Sequence, residues 1–228
     1  MKTNSLVVIA LSTLFLNVSA LRAQHYYNPP DGAGLYLRAD FGGSILEDGK
    51  LTDFGGSANN SIDYDVGVAA FGALGYAFNG YVATELEFGF MGAEIDSVSG
   101  LFVDDTYLYN FPLLANVVFS FPIPQTLVVP YVGVGAGGTM TVFDTDGFGN
   151  SSVMLFGDDS DVVFAWQVFA GLRIELNEHI SLGVGYKYFA ADDASFKYDS
   201  LFPGGPDFKL GLEGVRAHSI LFSFQIRF

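Results

Sequence analysis

From residue 34 to the C-terminus, apolar side chains recur at every second position rather than at every third or fourth. A period of two belongs to a strand with unlike faces, because successive side chains there point to opposite sides. Tyr107, Tyr109, Phe111, Leu113, Ala115, Val117, Phe119 and Phe121 share one side of a run, against Asn110, Asn116 and Ser120 on the other. Val162, Phe164, Trp166, Val168, Ala170, Leu172 and Ile174 likewise oppose Gln167, Gly171, Arg173 and Glu175. Eight strands are predicted in this way, at 34–45, 63–78, 81–92, 105–121, 128–142, 161–176, 180–190 and 214–228.

The connections fall into two classes that alternate strictly. Asn79-Gly80, residues 122–127 and residues 177–179 are short, and Asn-Gly is a strong hairpin signal. Residues 46–62, 93–104, 143–160 and 191–213 are long, acidic and rich in Gly, Ser and Asp, and are expected as loops. In an up-and-down meander all short turns then lie at one end and all long loops at the other, as in transmembrane barrels. The predicted fold class is all-β, an eight-stranded antiparallel up-and-down transmembrane β-barrel.

Three features favour an apolar face turned outward to lipid over one turned inward to a soluble core. The strands exceed the roughly 9–11 residues that cross a bilayer. Tyr76, Phe78, Tyr81, Phe119, Phe121, Tyr186 and Tyr188 gather near strand ends, as interfacial girdles do. The polar face is mostly small and uncharged, more lumen than hydrated surface. Closure also removes the sheet edges that hydrocarbon does not tolerate.

The N-terminus reads separately. Lys2 precedes the apolar run Leu6–Leu16, and small residues follow at Ala20 and Ala23. This is the layout of a secretory signal peptide over 1–23, cleaved after Ala20 or Ala23, with the run too short for a membrane span. Residues 24–33 are expected as a short periplasmic segment before a barrel domain at 34–228. The chain carries 25 acidic and 10 basic residues, a net charge of −15, and loss of Lys2 and Arg22 would make it −17. Such a balance excludes nucleic-acid binding through a basic surface. With no cysteine, disulfides and thiolate metal sites are also excluded.

Whole stretches resemble a known family: Tyr109–Val118, Pro130–Gly137, Phe164–Arg173, Ile180–Phe189 and the terminal Phe228. The chain is similar to the small eight-stranded outer-membrane barrels of Gram-negative bacteria, the porin-like or opacity-type surface proteins. The resemblance implies location in the cell outer membrane, among outer-membrane lipid and lipopolysaccharide. It implies that Phe224, Ile226 and Phe228 form a C-terminal signal to the insertion machinery, with periplasmic chaperones as partners during biogenesis. Loops are where such proteins differ in function, so the resemblance specifies architecture better than activity.

An eight-stranded barrel is only wide enough for its own side chains. Arg38, Glu85, Glu87, Arg173, Glu175, Lys187 and Arg227 face inward and are expected to form a polar network. Heights counted from the periplasmic turns pair Glu85 with Arg173 and Glu87 with Lys187, because unpaired buried charge is costly. Gly133, Gly135 and Gly137 put small residues on the lumen face, where larger side chains are expected to intrude.

No catalytic constellation is legible, and the chain is read as no enzyme. Histidines occur only at 25, 179 and 218, and the neighbours His218 and Ser219 must point to opposite faces. Asp144, Asp146 and Asn150 partly fit a calcium loop, which takes carboxylates at alternate positions. Phe148 and Leu155 break that pattern, so no metal or cofactor is assigned. Two function classes remain. The first is a structural or surface-display barrel with a plugged lumen, four acidic extracellular loops and an unnamed extracellular ligand. The second is a narrow porin or conduit for small solutes.

Overall fold

The computed structural model describes residues 33–54, 60–150, 154–198 and 208–228. The expected signal peptide lies outside them. The described residues form twelve strands: β1 (Gly34–Leu46), β2 (Gly49–Phe54), β3 (Asn60–Tyr64), β4 (Gly67–Ala77), β5 (Val82–Val98) and β6 (Phe102–Ser120). The others are β7 (Val128–Gly149), β8 (Met154–Glu175), β9 (Ile180–Ala191), β10 (Ala194–Tyr198), β11 (Phe208–Leu212) and β12 (Arg216–Arg227).

Eight of these close a ring, β1-β4-β5-β6-β7-β8-β9-β12, with β12 returning antiparallel to β1. Every backbone donor in the wall then has a neighbour strand, as a lipid environment requires. Two of the three short turns are closed by asparagines: Asn79 Oδ1 accepts the Tyr81 and Val82 amides, and Asn177 Oδ1 those of His179 and Ile180. Asn79 thus acts through its side chain in a four-residue connection rather than as half of a two-residue turn.

The apolar face points outward in the lower barrel. Leu74, Leu86, Phe88, Leu113, Val134, Phe164 and Phe222 are exposed, whereas Arg38, Glu87, Asn116 and Gln167 are buried. Ten residues separate Phe228 from His218, which at about 3.3 Å per residue and a tilt near 40° spans about 25 Å, the height of a bilayer's apolar band.

Where they are described, the four segments expected as acidic loops are largely strand. β2 and β3 continue the hairpin of β1 and β4 in unbroken register, Gly49 opposite Ile62 as Ser44 is opposite Gly67. β10 and β11 continue β9 and β12 in the same way, Ala194 opposite Leu212. β11 pairs with β2, β3 with the top of β5, and β5, β6, β7 and β8 overrun the predicted ends. The barrel therefore rises into a β crown. Its outside faces water, so the apolar side chains turn inward: Leu51, Ile62, Ile95, Phe143, Leu155, Phe196, Leu210 and Leu212 are buried. Burial of a Leu or Phe side chain contributes about 1.5–3 kcal/mol, enough to order segments whose composition suggests loops.

Candidate functional site: a charged waist beneath an apolar crown

The lumen is built in rows, and small residues decide who meets whom. Arg38, Ala73 and Glu87 lie in one row across β1, β4 and β5, with Tyr36, Gly75 and Glu85 in the next row down. Ala73 and Gly75 leave room for the β1 side chains to reach over β4; a Cβ on Gly75 would enter the Tyr36 ring. On the far wall Gln167, Gly135 and Asn116 form a third row, and a Cβ on Gly135 would meet the Asn116 amide. Gly133 makes room for the Phe169 ring in the same way.

Arg38 is the hub. Its Nε donates to Asp40 Oδ2 at 3.0 Å, Nη1 to Glu85 Oε1 at 2.8 Å and Nη2 to Glu87 Oε2 at 2.9 Å. Glu87 in turn accepts from Lys187 Nζ at 2.5 Å and Gln167 Nε2 at 2.9 Å. The Gln167 amide also donates to Asn116 Oδ1 at 2.9 Å, and Tyr36 Oη donates to Glu85 at 2.7 Å. The Lys187 ammonium lies 3.4 Å from the centre of the Phe71 ring, a cation–π contact that caps the network from above.

Glu87 and Lys187 are therefore joined, but Glu85 and Arg173 are not. Arg173 sits lower, where Nη2 is 3.4 Å from Glu175 and 3.5 Å from Ser120 Oγ. Equal height does not make two residues neighbours in a closed ring: position around it gives Glu85 to Arg38, two strands away. Arg227 lies at the same low level, its Nε buried without a hydrogen-bond partner among the described residues. Taken together, Arg38, Arg173, Lys187 and Arg227 face Asp40, Glu85, Glu87 and Glu175, so the lumen is formally neutral in a strongly acidic chain.

Tyr36 is the member that sequence reasoning missed, since an inward tyrosine looks like ordinary core. The signal that points to it is Gly75, the small residue it covers.

Apolar clusters flank the waist, the lower one beside the Arg173, Glu175 and Arg227 level. Tyr36, Ala77, Ala83, Val118, Tyr131 and Phe169 cluster beneath. Above it a thin polar layer (Thr141 to Asn110 at 2.9 Å, Ser219 to Ser44 at 3.0 Å) gives way to Phe189, Leu114, Leu108 and the crown core. There Phe143 contacts Phe148 edge-on at 5.3 Å and Phe196 at 5.8 Å. Two cavities beside Arg38 and Tyr131 hold about 10 Å³ each, room for one water apiece.

The remaining sequence candidates are separate from this network. Asp144 and Asp146 lie on the outer face of β7, with Asp144 opposite Asp158, and Asn150 follows the strand end. An extended strand does not wrap its alternate residues around an ion as a calcium loop does, and among the described residues no group of three metal-binding side chains occurs. Ser219 points inward to Ser44, while His218 points outward to Tyr186 and Glu47, so the two never meet. Phe224, Ile226 and Phe228 face outward at the foot of β12, with the Phe228 amide bonded to the Leu35 carbonyl.

Known proteins agree with this architecture. The family described as "Outer membrane protein beta-barrel domain" matches residues 8–228. An uncharacterized protein of Brucella abortus (strain 2308) is 24% identical over 247 residues, covering 87% of this chain and 86% of the relative. Among solved structures, the outer membrane protein OprG of Pseudomonas aeruginosa superposes with a TM-score of 0.61 at 17% identity, over 86% of this chain and 96% of that one. Neisserial surface protein A gives 0.55 at 16% identity, over 86% and 99%. At such identities the structural likeness shows the fold alone. The chain belongs to the outer membrane protein beta-barrel domain family, which sets it in the outer membrane with lipid and lipopolysaccharide around it.

Proposed function

We propose that this protein is a sealed barrel with a structural and surface-display role, holding an acidic β crown outside the membrane and conducting no solute. The observation that carries this reading is the double filling of the lumen. Arg38 ties three carboxylates together at the waist, and Lys187 ties one of them to the opposite wall. Above them an aromatic core closes the crown. A solute would have to break buried ion pairs and then part a packed apolar layer, and both steps are costly.

The display surface is the outside of the crown, where the chain's carboxylates concentrate. The reading assigns no catalysis. It takes residues 1–23 as an export signal and Phe224, Ile226 and Phe228 as the handle for the insertion machinery, after delivery by periplasmic chaperones. Planar-bilayer recording on the refolded, full mature chain tests the reading. The expected trace stays at baseline; a large, stable open state would overturn it in favour of a narrow conduit. Replacing the crown strands with those of an unrelated barrel should abolish binding of an extracellular partner while heat-modifiable gel mobility persists.

A further inference from the structure

One band of the outer surface breaks the lipid-facing pattern. The outward side chains of β12 are apolar from Phe228 to Ile220, and then come His218 and Arg216. About 25 Å above the foot of the barrel, these two lie at the headgroup level of the outer leaflet. Aromatic rings gather there. Tyr188 lies 5.1 Å from the His218 ring, and Trp166 lies 5.7 Å from Tyr188. Two hydrogen bonds fix the imidazole: Tyr186 Oη is 2.6 Å from Nδ1, and Glu47 Oε1 is 2.8 Å from Nε2.

The register puts Trp166, Ala190 and Arg216 in one row across β8, β9 and β12. The row beneath is Val168, Tyr188 and His218. Arg216 is exposed and forms no ion pair with a described residue, although acidic residues outnumber basic ones by 25 to 10. Arg38, Arg173 and Arg227 all point into the lumen, so Arg216 is the one outward guanidinium among the described residues. A guanidinium matches phosphate with two parallel donors, and aromatic rings favour a border that is apolar on one side and wet on the other.

We propose that this band docks the phosphorylated sugar headgroup of an outer-leaflet glycolipid. Arg216 receives the phosphate oxygens, and the Trp166 and Tyr188 rings lie against the sugar. Both His218 ring nitrogens are already taken up by Tyr186 and Glu47, which leaves Arg216 as the main electrostatic contact. The crown above it carries more carboxylates than its exposed Lys50, Lys197 and Lys209 offset, so Arg216 is the exposed cation that stands at the headgroup level. The proposal goes beyond the sealed-barrel reading and does not depend on it.

Trp166 is the only tryptophan in the chain, so its fluorescence reports from within the band. The full mature chain in phosphatidylcholine nanodiscs is titrated with lipopolysaccharide, with its dephosphorylated form, and with inorganic phosphate. The expected result is a saturable change with lipopolysaccharide, little change with the other two, and a midpoint about tenfold weaker in Arg216→Ala. Arg216→Lys should fall between, since it keeps the charge and loses the fork. The proposal is overturned if Arg216→Ala titrates as wild type, if the dephosphorylated lipid binds equally, or if phosphate alone gives the response. Heat-modifiable mobility checks that each variant is folded. If Arg216→Ala does not fold, the comparison of phosphorylated and dephosphorylated lipid on the wild type decides. Conductance plays no part in this readout, so failure of either reading is recognised separately.

Discussion

Glu87 is the side chain on which the waist depends, because its two oxygens serve Arg38, Lys187 and Gln167 at once. Removing one partner from a buried ion network leaves the others charged and uncompensated, typically at a cost of 3–5 kcal/mol, or about that here. Glu87→Ala should therefore lose roughly 3–5 kcal/mol in urea unfolding of the vesicle-inserted protein. The double variant Glu87→Gln with Lys187→Met should recover much of the loss, since it removes the charge pair rather than half of it. A single variant as stable as wild type would show that Arg38 reorganises freely. The inward parity of these residues was legible in the sequence, and so was the need to pair them. The partner of Arg38 was not, because the row that joins it to Glu87 exists only once three strands are in register.

At the scale of elements, the described crown strands close by backbone ladders except along one seam. β8 and β9 pair up to Ala165 opposite Ala191, and β10 continues in the direction of β9. There β8 meets β10 through side chains: Asp161 accepts the Ser195 amide at 2.9 Å, and Asp159 accepts the Lys197 amide at 2.5 Å. The two carboxylates satisfy donors on an edge that would otherwise be open. Asp159→Ala with Asp161→Ala should accelerate hydrogen exchange at the Ser195 and Lys197 amides by at least about tenfold, as loss of roughly 1.5–3 kcal/mol of charged hydrogen bonding implies. Unchanged exchange would mean that apolar packing alone holds the seam.

Titration probes the same crown. Burial raises the Tyr198 phenol, with Asp159, Asp144 and Asp158 adding to it, and burial with Asp48 raises that of Tyr64. The unfolded chain ionises its tyrosines near pH 10, while the folded crown keeps these two protonated to higher pH. The folded state then binds more protons, so the contribution of these two groups to stability is constant below about pH 10 and falls as pH rises beyond it. Tyr198→Phe should flatten that fall in denaturant titrations followed by tyrosinate absorbance; an identical slope would place ionisation elsewhere. The strand character of the crown was hidden because Asp, Gly and Ser dominate its composition, although Phe143, Phe196, Leu210 and Leu212 already alternate within it.

For the whole molecule, the waist and the crown core are two seals in series. Opening one should leave the other in place. A barrel with Arg38→Ala and Lys187→Ala is expected to record at baseline in a planar bilayer, whereas adding a deletion of residues 194–212 should give current. Current from the waist variant alone would assign the seal to the ion network and not to the crown. The exterior carries most of the net charge, and association of the crown with outer-leaflet lipid should weaken when a chelator removes bridging divalent cations. Electrophoretic or sedimentation assays with and without chelator read this directly, and indifference to chelator would detach the acidity from lipid contact.

The period-two alternation and the strict exchange of short and long connections determined an eight-stranded antiparallel meander, and strand length, aromatic strand ends and a small, weakly charged polar face turned its apolar side to lipid. These are properties of neighbouring residues, and a strand with unlike faces has few ways to satisfy them in a membrane. The tertiary structure decided what closes the lumen. Arg38, Glu85 and Glu87 meet because β1, β4 and β5 are adjacent with small residues between them. The acidic segments become a crown because strands far apart in the chain, β2 and β11 above all, find a common register there. The physical reason is that a strand's faces are set by its own residues, whereas its neighbours around a closed ring are set by all the others.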